Sequence, residues 1–140
     1  MSGSMLKRII KKSPWVYLLG LAGCNGCDIE IIATVCPRLD PERLGVKVVS
    51  SPRHADILLV NGAVNKKLKK PLKEIYDQMA EPKVVVAVGS CAASNGPFRE
   101  CYNMACRVDE IVPVSIYVPG CPPRPHAILY GIKKAIDMVE

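Results

Sequence analysis

The sequence has few aromatic residues and no long apolar run. Phenylalanine and tryptophan each occur once in 140 residues, which leaves little surface for stacking nucleic-acid bases. The apolar stretches have the length of strands, and none approaches the roughly 20 residues that a membrane-spanning helix needs. The cysteine count of seven is odd, which argues against a complete disulfide framework of the secreted kind. We therefore expect no nucleic-acid partner, no membrane-spanning segment and no disulfide scaffold.

The composition fits a single globular domain with a basic surface. Apolar residues make up 49% of the chain and charged residues 23%, at a net charge of +6. Most of the excess positive charge lies in two clusters: Lys7, Arg8, Lys11 and Lys12, and then Lys66, Lys67, Lys69 and Lys70. Each cluster alone is typical of a solvated face, although such clusters also meet anionic lipid. We divide the chain into a basic N-terminal segment, residues 1–14, and one folded domain, residues 15–140.

Strand and helix patterns alternate along the domain. The apolar runs that predict strands are Trp15–Gly20, Val46–Ser50, Ile57–Asn61, Val84–Val88 and Ser115–Val118. The segments that predict helices are Asp28 to about Val35, Pro71 to about Ala80, and Pro125–Val139. Unbroken apolar strands are typical of a parallel sheet that is buried on both faces. The sequence therefore predicts an α/β fold of flavodoxin-like type, with helices on both faces of the sheet.

Four cysteines follow predicted strands in turns rich in glycine or proline. Cys24 and Cys27 follow the first strand, Cys91 follows the Val84–Val88 strand, and Cys121 follows the last. Ligands of open parallel sheets gather beyond the carboxyl ends of the strands, so these four thiols are expected at one edge. Four thiolates can hold an iron–sulfur cluster. Helices that begin near Cys27 and Pro125 are expected to stabilise thiolate charge.

Other interpretations of these cysteines remain open. Four thiols also bind structural zinc, although zinc sites usually combine two compact pairs. A redox Cys-x-x-Cys pair accounts for Cys24 and Cys27 but gives Cys91 and Cys121 no role. The glycines around the pair do not have the spacing of a dinucleotide-binding loop. For Cys36, Cys101 and Cys106 we expect the ordinary role of a small buried apolar side chain.

The motifs resemble those of one family, the cluster-bearing small subunit of [NiFe] hydrogenases and the homologous subunit of respiratory complex I. The resemblance covers nearly the whole chain from Trp15 to Glu140. Its motifs are Cys24-Asn25-Gly26-Cys27-Asp28-Ile29-Glu30, Asn61-Gly62-Ala63-Val64, Gly89-Ser90-Cys91-Ala92, Asn95-Gly96-Pro97-Phe98, Val108-Asp109-Glu110-Ile111-Val112-Pro113-Val114 and Val118-Pro119-Gly120-Cys121-Pro122-Pro123-Arg124-Pro125. Complex I subunits typically carry adjacent cysteines in the first motif, whereas Cys24-Asn25-Gly26-Cys27 has the hydrogenase form. Only 19 residues follow Cys121, which favours the short subunits of membrane-bound, energy-converting hydrogenases.

The resemblance implies a cofactor, partners and a location. Cys24, Cys27, Cys91 and Cys121 would ligate one [4Fe-4S] cluster, while the nickel–iron centre would lie in a separate large subunit. A ferredoxin-like iron–sulfur subunit would supply the electrons that reduce protons to hydrogen, and this chain would not be catalytic alone. The complex would sit peripherally on the cytoplasmic side of the cell membrane, with residues Met5–Lys12 against membrane-arm subunits or anionic lipid.

Two further residues are candidates for a role near the cluster, and two other functions remain open. Glu30 is a candidate proton relay or cluster-tuning group, and Arg124 a candidate donor to the cluster or to a partner. The same cluster could instead serve a complex I-like quinone or sulfur reductase without nickel. From a different class, the four cysteines could hold zinc in an interaction domain that carries no electrons.

Overall fold

A parallel sheet of five strands forms the centre of the molecule. The computed structural model describes residues 3–139. Its strands are β1 (Trp15–Gly20), β2 (Lys47–Val49), β3 (Ile57–Asn61), β4 (Val64–Asn65), β5 (Val84–Val88), β6 (Met104–Cys106) and β7 (Ile116–Val118). The main sheet has the order β2-β1-β3-β5-β7, and every neighbouring pair in it is parallel. Strands β4 and β6 form a separate antiparallel pair.

Five α-helices connect and cover these strands. They are α1 (Gly3–Lys12), α2 (Gly26–Val35), α3 (Lys69–Gln78), α4 (Gly89–Ser94) and α5 (Pro125–Met138). Short 3₁₀ turns occur at Pro41–Leu44, Pro52–His54, Gly96–Phe98 and Val108–Glu110. Within residues 3–139, no helix combines the length and the apolar character that crossing a bilayer requires.

The alternation of side chains along the strands divides the core in two. On β3, Ile57 and Leu59 pack on one face, together with buried residues of α1, α2 and α5. Leu58 and Val60 pack on the opposite face, where Leu72 of α3 and Ala92 of α4 cover them. Both faces of β3 and β5 are fully buried, which explains why these strands are unbroken apolar runs.

The predicted fold class is confirmed. The order of the five main strands, with the first strand flanked by the second and third, is the flavodoxin-like order. In such a sheet the chain leaves the carboxyl ends of β1, β3, β5 and β7 at one common edge. The loops that carry four of the cysteines begin at this edge.

The structure also contains elements that the sequence patterns did not predict. Helix α1 lies within the segment that we treated as a basic N-terminal extension, and its Ile10 is buried in the core beside α5. Helix α4 occupies six residues directly after β5. Strands β2 and β7 are shorter than predicted because each pairs along one side only, at an edge of the sheet.

Candidate functional site

The four loop cysteines lie at the carboxyl edge of the sheet. Cys24 is exposed in the loop after β1, and Cys27 is half-buried in the first turn of α2. Cys91 is 6% exposed within α4, and Cys121 is exposed in the loop between β7 and α5. All seven cysteines of the chain fall within the described residues, and none of them forms a disulfide.

The loop between Cys24 and Cys27 is tight, and small residues permit it. Asn25 adopts a left-handed conformation at φ 65°, a conformation that asparagine tolerates better than most residues. A β-carbon built on Gly26 would lie 3.4 Å from Cys24 Sγ and 3.8 Å from Pro122 Cδ. The first cysteine pair therefore packs directly against the loop that carries Cys121.

Gly89, directly after β5, packs against the first cysteine pair. It has a φ of +85°, and a β-carbon there would lie 2.6 Å from Cys27 Sγ. The same β-carbon would lie 3.5 Å from the Gly120 carbonyl oxygen. Any side chain at this position would occupy the space of the Cys27 thiol, so only glycine allows the three loops to converge.

A small cavity opens where these loops meet. It is lined by residues from the ends of β1, β3 and β5: Gly23, Cys24, Asn25, Cys27, Asp28, Asn61, Gly62 and Cys91. Asn61 is 3% exposed and is the last residue of β3. A β-carbon on Gly20 would lie 3.1 Å from Asp28 Oδ1 and 3.5 Å from Asn61 Oδ1, so both polar groups approach the backbone of Gly20.

Burial and neighbouring thiols raise the pKa values of Cys27 and Cys91. Burial is the largest of the causes that together raise the pKa of Cys27 to about 11, and the charges of Cys91, Cys24 and Cys121 contribute the next largest effects. Burial also raises the pKa of Cys91, with contributions from Cys121 and Cys24. Cys27 lies in the first turn of α2, as expected, but burial and like charges raise its pKa in the free chain.

This donor set fits an inorganic group with positive charge. Four thiolates that repel one another and lose hydration are stabilised only when cations lie between them. Within residues 3–139, however, no three His, Cys, Asp or Glu side chains are arranged around a point that one metal ion could occupy. Cys24, Cys27 and Cys91 line one cavity, and Cys121 lies close enough for its charge to raise the pKa of Cys91.

The remaining predicted residues lie around this group. Glu30 is half-buried one turn into α2, and Arg124 is exposed at the N-cap of α5. The expectation that Cys36 and Cys101 are buried packing residues is wrong, since both are exposed. Cys36 caps the C-terminus of α2 and Cys101 follows a 3₁₀ turn, so neither faces the core. Cys106 on β6 is half-buried and packs against the second core, as expected.

Asp28 and Asn61 were not predicted as part of the site. Asn61 ends a strand at the same edge as the cysteines, so its position in the sequence carried a usable signal. Asp28 directly follows Cys27 and adds its negative charge to the causes that raise the pKa of that thiol.

Comparison with known proteins places the chain in a family. Residues 24–135 match the family described as NADH ubiquinone oxidoreductase, 20 Kd subunit. A probable membrane-bound hydrogenase subunit of Pyrococcus furiosus is 48% identical over 134 residues, which cover 96% of this chain and 80% of the relative. Formate hydrogenlyase subunit 7 of Escherichia coli is 47% identical over 140 residues, and this chain spans 54% of its length.

A solved structure agrees with these sequence matches. The membrane-bound sulfane sulfur reductase, an archaeal respiratory membrane complex, contains a chain that superposes with a TM-score of 0.84 at 36% identity. The match covers 99% of this chain and 77% of that one. The relatives named here are subunits of oxidoreductase complexes, as the resemblance implied. The chain belongs to the family of the 20 kDa subunit of NADH ubiquinone oxidoreductase, which includes the hydrogenase subunits that its cysteine motifs resemble.

Proposed function

We propose that this chain is the electron-transfer small subunit of a membrane-associated [NiFe] hydrogenase. Cys24, Cys27, Cys91 and Cys121 would ligate one [4Fe-4S] cluster at the carboxyl edge of the sheet. The observation that carries the proposal is the convergence, at one edge of the sheet, of the loops that carry these four cysteines. The hydrogenase subunit of P. furiosus, 48% identical over most of both chains, supports this choice of complex.

The chain's contribution is to hold and insulate the cluster. When bound, such a cluster supplies one-electron transfer, at a potential set by charge, hydrogen bonds and solvent. The half-buried Cys27 and the buried Cys91 would hold it together with the exposed Cys24 and Cys121. Asp28 places a negative charge beside the ligands, which favours the more oxidised state of the group they hold.

An apolar surface beside the thiols supports a partner subunit at this edge. Ile29 and Ile32 of α2 are 64% and 60% exposed, and Val35 continues the same surface. Exposed apolar side chains grouped next to a functional site are typical of a protein interface. We assign this surface to the large subunit that carries the nickel–iron centre. A ferredoxin-like iron–sulfur subunit and membrane-arm subunits complete the proposed complex.

Helix α1 supports a peripheral position at the membrane, and we propose the cytoplasmic side. Its Ile10 is buried in the core, while Met5 and Ile9 are 59% and 50% exposed one turn apart. Exposed basic residues, Arg8 among them, flank this apolar pair. Apolar and basic side chains together favour the surface of an anionic bilayer or the proteins embedded in it. Replacing both Met5 and Ile9 with serine should release this chain from membranes, and its full retention there would contradict this placement.

Glu30 is proposed as a proton relay near the site. It is half-buried on the same helix as Cys27, one turn farther along. In the assembled complex, Glu30→Gln should lower hydrogen evolution while the iron content and the spectrum of the cluster stay unchanged. Equal activity of the variant and the native complex would leave Glu30 only a structural role.

A second candidate function is a sulfur or quinone reductase. The observation that favours it is the close superposition on a chain of the sulfane sulfur reductase. The thiols of this chain would then hold the same kind of cluster, and only the acceptor in the partner subunit would differ. A zinc-bound interaction domain built on the same four cysteines is the remaining alternative, and it would carry no electrons.

Metal analysis of the complex tests these alternatives. The complex is purified anaerobically through this chain, and its iron, nickel and zinc are measured. Four irons per copy of this chain, beyond those of other subunits, with stoichiometric nickel support the hydrogenase. Iron without nickel favours the reductase, and zinc without iron contradicts electron transfer.

Substitution of single cysteines assigns the ligands. Replacement of Cys24, Cys27, Cys91 or Cys121 by serine should remove the cluster or convert it to another form, as seen by electron paramagnetic resonance. Serine at Cys36 or Cys101 provides the matched control, because both side chains are exposed away from the cavity. A cluster that survives unchanged in one of the first four variants would remove that residue from the ligand set.

A further inference from the structure

One carbonyl group joins the loops that carry Cys91 and Cys121. The backbone N–H of Ser90 donates a hydrogen bond to the Gly120 carbonyl oxygen at 2.8 Å. The hydroxyl of Ser90 donates to the same oxygen at 3.1 Å. Ser90 and Gly120 are 30 residues apart, and each directly precedes one of the cysteines. The two bonds therefore fix the start of one cysteine loop to the start of the other.

The surroundings of Ser90 leave it little freedom. On one side, Gly89 packs against Cys27 so closely that a β-carbon would lie 2.6 Å from that thiol sulfur. On the other side, the hydroxyl of Ser94 donates to the Ser90 carbonyl at 3.1 Å within α4. A shift of Ser90 would move Cys91 and disturb the contact with Cys27 at the same time.

The Gly120 end of the link is restrained in the same way. Gly120 has a φ of +148°, and a β-carbon there would lie 2.4 Å from Pro123 Cα. The following residues, Cys121 and Pro122, are exposed. Within the described residues, the two bonds from Ser90 are the hydrogen bonds that tie the Gly120 carbonyl to the sheet side of the site.

We infer that Ser90 is a positioning residue whose hydroxyl, by bonding the Gly120 carbonyl, holds Cys121 at a fixed distance from Cys91. This inference rests on the proposed function, since it concerns the spacing of two proposed cluster ligands. Ser90 is not itself a ligand. Its backbone N–H brings the loops together in any variant, whereas the hydroxyl adds the second bond that only serine or threonine can make.

The test compares Ser90→Ala with the native chain in the anaerobically purified complex. Loss of one hydrogen bond corresponds to roughly a two- to tenfold change in an equilibrium or a rate. We expect near-native iron content in Ser90→Ala, cluster loss to an iron chelator that is faster by about this factor, and an altered electron paramagnetic resonance spectrum. Ser115→Ala is the control, since it removes an exposed hydroxyl just before the amino end of β7, at the edge of the sheet opposite the cysteine loops.

A second pair of variants separates the hydrogen bond from the shape of the side chain. Threonine at position 90 keeps the hydroxyl, while valine has nearly the same shape without it. Ser90→Thr should retain the native rate of cluster loss and Ser90→Val should resemble Ser90→Ala. If the threonine and valine variants lose the cluster at equal rates, the inference is overturned, even where Ser90→Ala fails to assemble. Absence of iron from the native complex would instead overturn the proposed function.

Discussion

Replacement of Gly89 by alanine tests whether the convergence of the cysteine loops depends on a missing side chain. The new β-carbon would lie 2.6 Å from Cys27 Sγ, where nonbonded heavy atoms ordinarily stay about 3.5–4.0 Å apart. The sulfur must therefore move by about 1 Å. The φ of +85° adds a backbone cost of about 1–2 kcal/mol for any residue with a β-carbon.

The backbone cost and the displacement of the Cys27 sulfur should each appear in a separate measurement. Urea unfolding of the chain, followed by the fluorescence of its single tryptophan, should show Gly89→Ala less stable than the native chain by about 1–2 kcal/mol or more. The displaced thiol should lower the iron bound per complex, because ligand positions must hold to within about 0.5 Å.

Gly23→Ala is the matched control for this substitution. Gly23 lies in the same group of loops, but its β-carbon would meet Gly62 Cα at an ordinary 3.4 Å, without a positive φ. We expect native stability and native iron content in this variant. If Gly89→Ala behaves like Gly23→Ala in both assays, then close packing against Cys27 is not what requires glycine at position 89.

Three further substitutions test the fold and its ionisable groups. Gly131→Ala places a β-carbon 2.6 Å from Val118 Cγ2, and should lower stability in urea while the iron content stays native. Ile10 is 7% exposed, so Ile10→Ala should lower the free energy of unfolding by about 2–5 kcal/mol. Ile9 is 50% exposed, so Ile9→Ala should unfold at the same urea concentration as the native chain. Burial raises the pKa of Asp56, so the folded chain holds this proton more tightly than the unfolded chain does. The stability that Asp56 contributes through this raised pKa is fully present below about pH 4, and it is lost as the pH rises through the pKa of Asp56 in the folded chain. Asp56→Asn should therefore gain stability relative to the native chain between about pH 4 and pH 7, and a constant difference would contradict this assignment.

The central strands could be predicted from the sequence because both their faces are buried. The bounds of β1, β3 and β5 agree with prediction at both ends, since an unbroken apolar run stops where the strand leaves the core. Helix α1 gave no such signal, because Ile10 alone among its described side chains is buried and its apolar residues are interrupted by basic ones. Strands β4 and β6 have two and three residues, and their pairing depends on contacts between distant parts of the chain.

The sequence predicted the part of the site whose residues come directly after strands. Cys24, Cys91 and Cys121 each follow a strand of the main sheet, so the rule for parallel sheets placed them at one edge. The role of Ser90 could not be predicted, because a hydroxyl bond across 30 residues leaves no periodic pattern. The exposure of Cys36 and Cys101 was missed because free cysteine is usually buried, a preference of the residue type that says nothing about a helix end or a turn.

The ionisation of the thiols connects the fold to the proposed chemistry. A cysteine that serves only packing has no reason to lie beside three others, since apolar side chains fill such space without electrostatic cost. Here burial, together with the neighbouring thiols, raises the pKa of Cys27 to about 11, and the absence of side chains at Gly26 and Gly89 lets the thiols lie close to one another. Binding of a cationic iron–sulfur core would reverse this cost, because thiolates are the form that coordinates metal. The free chain thus carries an arrangement that is unfavourable for four separate thiolates and favourable for four ligands of one cluster.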